Sequence, residues 1–187
     1  MVKSKPVLGI IGGGQLCSML AAAAKKLKIK TIVLSDDPKA SAKNFCDEII
    51  ISEYDKQKTI EDFARKVDVV TFEFENIPSK TLDYIESIVE IFPDRKALKI
   101  SQDRLFEKNF LTKLGLETAP YLKVDDVTEF KDAVKKIGTP AILKTRTMGY
   151  DGKGQVKITN EDQVKQISKT FKTSNHILEG LVDFTKE

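Results

Sequence analysis

The chain has 187 residues, 41% of them hydrophobic and 32% charged, which is enough for one large or two small globular domains and unlike a disordered segment. Its 31 basic and 28 acidic side chains are well mixed and leave a net charge of only +3, so there is no nucleic-acid footprint and no polybasic membrane patch. The longest apolar run near the start, Val7 to Ile11, is far too short to span a membrane, and no stretch resembles a cleaved signal. Cys17 and Cys46 lack metal-ligand spacing and suit a reduced, cytoplasmic protein. The single histidine, His176, excludes a multi-histidine metal site and a Ser-His-Asp triad.

Val7-Leu8-Gly9-Ile10-Ile11 reads as a strand buried on both faces, as parallel strands are. It runs into Gly12-Gly13-Gly14 and a helix from Gln15 to Lys28, where four consecutive alanines favour the helical state. A second strand, Thr31 to Leu34, is ended by Ser35-Asp36-Asp37-Pro38. A strand, glycine turn, helix and strand in this order open a doubly wound sheet. The spacing Gly12-x-Gly14-x-x-Cys17 lacks the third glycine of a dinucleotide fingerprint, although Asp36 stands about where a ribose-binding acid would. A tight turn that needs small residues for packing and an NAD site are the two readings.

Strand Glu48 to Ser52, helix Lys56 to Lys66 and strand Val67 to Phe74 follow. In T-F-E-F-E-N-I-P, Phe72 and Phe74 fall on one side and Glu73 and Glu75 on the other. Ligands of open α/β sheets gather at the carboxyl ends of strands, so Glu75 is either a site residue or part of a solvated edge before the helix that Pro78 starts. Helix Ser79 to Val89, a short strand Glu90 to Phe92 and a helical turn opened by Pro93-Asp94 come next. The helix Gln102 to Leu114 is amphipathic, with Leu105, Phe106, Phe110, Leu111 and Leu114 expected on its buried side. Arg104, on the other side, is expected as an exposed partner of Glu107 or Asp103. Gly115 ends this helix and Glu117-Thr118-Ala119-Pro120 links to a second unit, so the expected domains are 1–115 and 116–187. Strand Tyr121 to Val124, helix Val127 to Ile137, strand Ala141 to Thr145, strand Gln155 to Ile158, helix Glu161 to Phe171 and strand His176 to Leu181 make a small α+β lobe. His176 reads as a surface or packing residue.

Within that lobe, Lys144-Thr145-Arg146-Thr147-Met148-Gly149-Tyr150-Asp151-Gly152-Lys153-Gly154-Gln155 joins two strands. Glycines at this density let backbone amides approach an anion closely, and two lysines and an arginine supply counter-charge. It is not a Walker loop, because Lys153 is followed by glycine and then by a strand-like alternation. A hairpin lid over nucleotide phosphates and a surface hairpin with solvated lysines both fit the pattern.

Six motifs occur in one order: G-G-G-Q-L, T-F-E-F-E-N-I-P, S-Q-D-R-L-F-E-K, T-A-P-Y, L-K-T-R-T-M-G-Y-D-G-K-G-Q and L-E-G-L-V-D-F-T-K-E. Together they resemble the 5-(carboxyamino)imidazole ribonucleotide synthetases, the ATPase subunits of phosphoribosylaminoimidazole carboxylase, in the ATP-grasp superfamily. The resemblance runs from about Val7 to Glu187 and implies a Rossmann-like pre-ATP-grasp domain with a parallel sheet, followed by a small α+β ATP-grasp lobe. The implied activity is that of an ATP-dependent carbon-nitrogen ligase of purine biosynthesis. Bicarbonate is activated as carboxyphosphate, and its carboxyl group passes to the amine of 5-aminoimidazole ribonucleotide. By the resemblance, Arg104 and Lys144 contact nucleotide phosphates, and Gly149, Tyr150, Asp151, Gly152, Lys153, Gly154 and Gln155 form the flap. Glu179, Gly180, Leu181 and Val182 form the adenine-binding hinge, and Glu187 takes the ribose hydroxyls. Gly14, Gln15, Leu16, Glu75 and Asp151 lie toward the ribonucleotide, and Asp151 and Lys144 are the implied catalytic residues. Phosphoryl transfer of this kind needs positive charge over the γ-phosphate and exclusion of water rather than a protein nucleophile.

Cys17 and Ser18 stand where the family usually has a Gly-Arg pair, and Ser35-Asp36-Asp37-Pro38 departs from its usual D-P order. The family's chain continues into a third lobe with the acidic residues that hold Mg²⁺, so no metal site is expected within these residues. The chain alone is expected to be catalytically incompetent, with the whole enzyme homodimeric. Competing readings are a non-catalytic nucleotide-binding module, formate-dependent glycinamide ribonucleotide transformylase, biotin carboxylase and an NAD-dependent oxidoreductase.

Overall fold

A computed structural model of the chain describes residues 5–149, 153–171 and 175–185. The chain divides into two compact units, Met1–Lys99 and Ile100–Glu187.

In the first unit the apolar runs at Val7–Ile11 (β1), Lys30–Ser35 (β2), Glu48–Ile51 (β3) and Val69–Phe72 (β4) form a parallel sheet in the order β3-β2-β1-β4. Central β1 pairs on both edges, with Ile10 opposite Val33 on β2 and Thr71 on β4. Gly9 lets the helix layer close on the sheet, since a Cβ there would come within 2.8 Å of the Phe63 ring. The helices Gln15–Lys26 (α1), Gln57–Ala64 (α2), Ser79–Glu86 (α3) and Arg95–Ser101 (α4) follow in chain order. One core joins Ile11, Leu34, Phe63, Val70, Ile77, Leu82 and Ile85, and a second, beneath α1, joins Ile10, Cys17, Ala21, Val33 and Ala42. The strand expected at Glu90 to Phe92 reduces to one isolated parallel bridge between Ile91 and Val70, because Pro93 cannot extend the ladder.

The second unit opens with Arg104–Lys113 (α5) and builds an antiparallel sheet from Tyr121–Val124 (β5), Ala141–Thr145 (β6), Gln155–Ile158 (β7) and His176–Gly180 (β8), ordered β5-β8-β6-β7. Helices Val127–Ile137 (α6) and Glu161–Thr170 (α7) cover its core of Val124, Phe130, Ala141, Leu143, Ile158 and Leu178. Both begin at a side-chain cap: Asp126 accepts from Thr128 and Glu129 N–H at 2.7 and 2.8 Å, and Asn160 from Gln163 N–H at 3.0 Å. The Phe130 and Phe171 rings stack at 5.6 Å, with His176 tilted on the far side of Phe171 at 5.4 Å, so the histidine packs.

One expectation for α5 needs correction. The apolar stripe is not its buried side: no α5 residue is buried, Leu105 and Leu111 are half-buried, and Phe106, Phe110 and Leu114 are exposed. The helix is held by the polar groups at its start instead, and hydrophobic period alone cannot say which face finds a neighbour. The join expected near 115 follows the glycine that ends α5, whereas the compact units divide at Lys99–Ile100. Asp103 and Arg104 account for this, because both bind the strand end of the second unit.

Candidate functional site

In the first unit the turn Gly12–Gly14 offers inward-pointing amides at the start of α1, an arrangement that attracts anions. Those amides already have one. Glu73, just past β4, accepts from Gly13 N–H at 3.1 Å and Gly14 N–H at 3.0 Å through one carboxylate oxygen. The carboxylate lies so close that a Cβ on Gly12, whose φ is +123°, would come within 2.5 Å of it. The turn is packed on its other side too: a Cβ on Gly13 would meet Ser35 Oγ at 2.4 Å. Glu73 is thus the carboxylate of T-F-E-F-E that touches the glycine turn, and Glu75 is exposed, accepting from Asn76 Nδ2 at 3.4 Å. Gln15 and Leu16 are exposed at the start of α1.

Cys17 and Ser18, which stand where the family usually has a Gly-Arg pair, are both accommodated. Cys17 is fully buried in the core beneath α1, and its thiol is pushed up to about 12, first by burial and then by nearby Glu73 and Cys46. Ser18 donates back to the Gly14 carbonyl at 3.0 Å and shares a hydrogen bond with Ser41 Oγ at 3.0 Å.

The site of the second unit lies on the sheet face opposite its core. Leu122, Leu143 and Leu178 supply that core, so by the two-residue period Tyr121, Ile142, Lys144 and Glu179 share the other face. Glu179 is directly opposite Tyr121 on β5 and Ile142 on β6, and Lys144 is its diagonal neighbour. Lys144 Nζ donates to Glu179 Oε2 at 3.0 Å. Glu179 is 5% exposed, and such a carboxylate needs compensation. A second cation reaches the same oxygen: Lys108 Nζ, from α5, at 3.4 Å.

Arg104 does not pair with Glu107 or Asp103, as its sequence context suggests. Its guanidinium donates to the Thr145 carbonyl at 3.0 Å and the Gly149 carbonyl at 2.8 Å, at the strand end from which the glycine-rich segment leaves. Asp103 is engaged elsewhere. It caps α5 by accepting from Leu105 N–H at 2.9 Å and takes Arg146 in a two-pronged ion pair at 3.0 and 2.6 Å. The segment closes on itself where Thr145 N–H donates to the Gly154 carbonyl at 2.8 Å. Gly154 has φ +71° and lies where a Cβ would meet Thr145 Oγ1 at 2.5 Å, so the position requires glycine on both counts. Gln155 opens β7 opposite Lys144, and Lys153 is exposed in the preceding turn. Tyr150, Asp151, Gly152 and Glu187 lie outside the described residues.

At the other end of β8, Gly180 N–H donates to the Pro120 carbonyl at 2.8 Å and Leu181 N–H to the Pro140 carbonyl at 3.2 Å. These bonds fix the chain leading to Val182, and Leu181, Val182 and Phe184 expose apolar surface there. Among the described residues there is no group of three or more His, Cys, Asp or Glu side chains that could hold a metal ion. None of their helices is long and apolar enough to cross a membrane.

Asp103, Lys108 and Glu73 are site residues that the sequence reading does not single out, and it counts Arg146 only as counter-charge for an anion. Lys108 had a signal, since it stands four residues after Arg104 and so on the same helical face. Asp103 had one as well, being an aspartate immediately before a helix. Glu73 and the Asp103–Arg146 pair depend on partners 59 and 43 residues away, which local spacing does not reveal.

A parallel-sheet unit with a glycine turn, followed by a small antiparallel lobe with a lysine at the end of the strand before a glycine-rich segment, is the plan of an ATP-grasp protein. Residues 6–102 match the model of the ribonucleotide synthetase preATP-grasp domain and residues 109–187 that of the ATP-grasp domain. The chain belongs to the ribonucleotide synthetase preATP-grasp family. It is similar to the N5-carboxyaminoimidazole ribonucleotide synthase of Brucella melitensis, at 41% identity over 189 residues covering 100% of this chain and 52% of the relative. It is also 43% identical over 184 residues to the bifunctional purine synthesis protein purC/E of Dictyostelium discoideum, covering 96% of this chain and 18% of that one. The crystal structure of N5-carboxyaminoimidazole synthetase from Staphylococcus aureus complexed with ADP matches with a TM-score of 0.89 at 36% identity, covering 98% of this chain and 50% of that chain. The chain thus spans about half the length of the synthases it matches.

Proposed function

We propose that the chain supplies the pre-ATP-grasp domain and the first ATP-grasp lobe of an ATP-dependent ligase that carboxylates 5-aminoimidazole ribonucleotide. Bicarbonate and ATP would give carboxyphosphate, from which the carboxyl group passes to the exocyclic amine, leaving 5-(carboxyamino)imidazole ribonucleotide, ADP and phosphate. The cytoplasm is the expected setting, and a homodimer the expected assembly of the whole enzyme. The observation that supports this reading most is that Arg104 binds the Thr145 and Gly149 carbonyls where the glycine-rich segment leaves β6, the strand that carries Lys144, in a lobe that resembles an ADP-complexed relative.

In this reading Lys144 and Arg104 meet the negative charge of the nucleotide phosphates. The segment Gly149–Gln155, with Tyr150, Asp151, Gly152, Lys153 and Gly154, covers them and keeps water from the acyl phosphate. Glu179, Gly180, Leu181 and Val182 line the adenine. Because Gly180 and Leu181 N–H are already engaged, the base falls to the carbonyl oxygens of this stretch and to Val182. Glu187 takes the ribose hydroxyls, and Gly14, Gln15, Leu16, Glu75 and Asp151 serve the ribonucleotide, with Asp151 and Lys144 at the reacting groups. Bound Mg²⁺ would neutralise the β- and γ-phosphate oxygens.

The NAD reading has the opposite support, because the amides that would take a pyrophosphate hold Glu73. Thermal shift with ATP, ADP and NAD tests the choice: ADP and ATP raise the melting temperature and NAD does not. Stabilisation by NAD alone would overturn the reading. The isolated 187-residue chain is expected to bind nucleotide weakly at best and without turnover. Bicarbonate-dependent release of ADP from it would overturn that part.

A further inference from the structure

Glu179 is buried and has two cations on a single oxygen, Lys144 at 3.0 Å and Lys108 at 3.4 Å. One lysine suffices to compensate one carboxylate, so the second needs a reason. Lys144 stands beside Thr145, whose carbonyl anchors Arg104 at the root of the glycine hairpin, and its side chain is the more exposed of the two at 22% against 15%. Lys108 is held from several sides. Its ammonium lies 5.5 Å from the centre of the Tyr121 ring, and Tyr121 is fixed in turn by donating its hydroxyl to Asn109 Oδ1 at 2.9 Å. Tyr121 and Glu179 are direct cross-strand partners, so ring and carboxylate present one prepared seat to the Lys108 ammonium.

We propose that Lys108 is a positioning residue that takes over the compensation of Glu179 when Lys144 turns to the phosphates of a bound nucleotide. The inference rests on the nucleotide reading above and adds a reserve counter-ion to it. Without Lys108, Lys144 is the only charge partner of a buried carboxylate among the described residues, and phosphate binding must compete with that pair. With Lys108, Lys144 changes partners while the interior charge stays balanced. Arg104 and Lys108 lie four residues apart on one face of α5, so a single helix holds both the hairpin root and the reserve cation.

The experiment uses calorimetric titration of the 187-residue chain with ADP and with adenosine, for the wild type, Lys108→Met, Lys108→Arg and Lys108→Met/Glu179→Gln. Lys108→Met is expected to weaken ADP by about tenfold or more while adenosine binding is unchanged. Lys108→Arg keeps ADP binding, and the Glu179→Gln partner change restores the ratio of ADP to adenosine affinity, whatever it does to the adenine contact common to both ligands, because no buried carboxylate then retains Lys144. Equal loss of ADP and adenosine, or no rescue, would overturn the handover. A ligand-free arm compares the melting temperatures of Lys108→Met, Lys144→Met and the double variant. Each single loss is small and the double loss exceeds their sum, whereas simple additivity would overturn the sharing of Glu179. If wild type fails to bind ADP, the nucleotide reading falls and the handover with it. If wild type binds and Lys108→Met binds equally well, the handover alone falls.

Discussion

The two units each present glycines and backbone amides of the kind that bind anions, yet they differ in what already sits there. In the first, the Gly12–Gly14 turn is filled by the chain's own Glu73 carboxylate. In the second, two cations, Lys108 and Lys144, meet one carboxylate, Glu179, and a third, Arg104, donates to neutral carbonyls. A glycine motif therefore announces an anion-binding backbone without saying whether the anion is a ligand or a side chain. The surplus of positive charge, and not the glycine spacing, separates a closed site from one still able to accept a polyphosphate.

Several substitutions would break or sharpen that contrast. The largest effect is expected for Asp103→Ala, which leaves Arg146 without its ion-pair partner, removes the cap of α5 and loosens the helix carrying Arg104. Chemical denaturation should show a loss of about 3 kcal/mol, with weaker ADP binding in the same variant. Glu73→Ala should cost about 2 kcal/mol, because two amides lose a charged acceptor. It should leave ADP affinity unaltered, and an equal fall in ADP affinity would blur the distinction between the units. Gly154→Ala forces a positive φ and a clash with Thr145, and should cost about 1–2 kcal/mol.

The effect that is smallest at neutral pH is a pH dependence at Cys17. Its thiol binds a proton more tightly folded than unfolded, with the value raised from 9.0 to about 12 by burial. That contribution is whole below about pH 9 and is lost as pH rises toward about 12. Denaturation profiles should therefore fall over that range and flatten in Cys17→Ala, and Cys17 should resist thiol reagents in the native chain.

Much of this was legible in the residues themselves. Val7–Ile11 and the alanine-rich helix after it declare a parallel βα unit through local propensity, and Lys144 is delivered to a strand end by the apolar run before it. The alternation in T-F-E-F-E placed both carboxylates on one side but could not tell which one bends back to a turn formed some sixty residues earlier. The α5 stripe misled for a related reason: Phe106, Phe110 and Leu114 share a helical face, but the helix is tethered by Asp103, Arg104 and Lys108. Periodicity reports which side chains travel together, and long-range polar pairs decide which of them meet the rest of the fold.

The most direct test is to map ADP onto the chain by backbone amide NMR, with Lys144→Met as the control. The account predicts shifts concentrated at 144–149, 153–155 and 179–182, no change along Gly12–Gly14, and their disappearance in Lys144→Met. Shifts centred on Gly12–Gly14 that persist in Lys144→Met would contradict it.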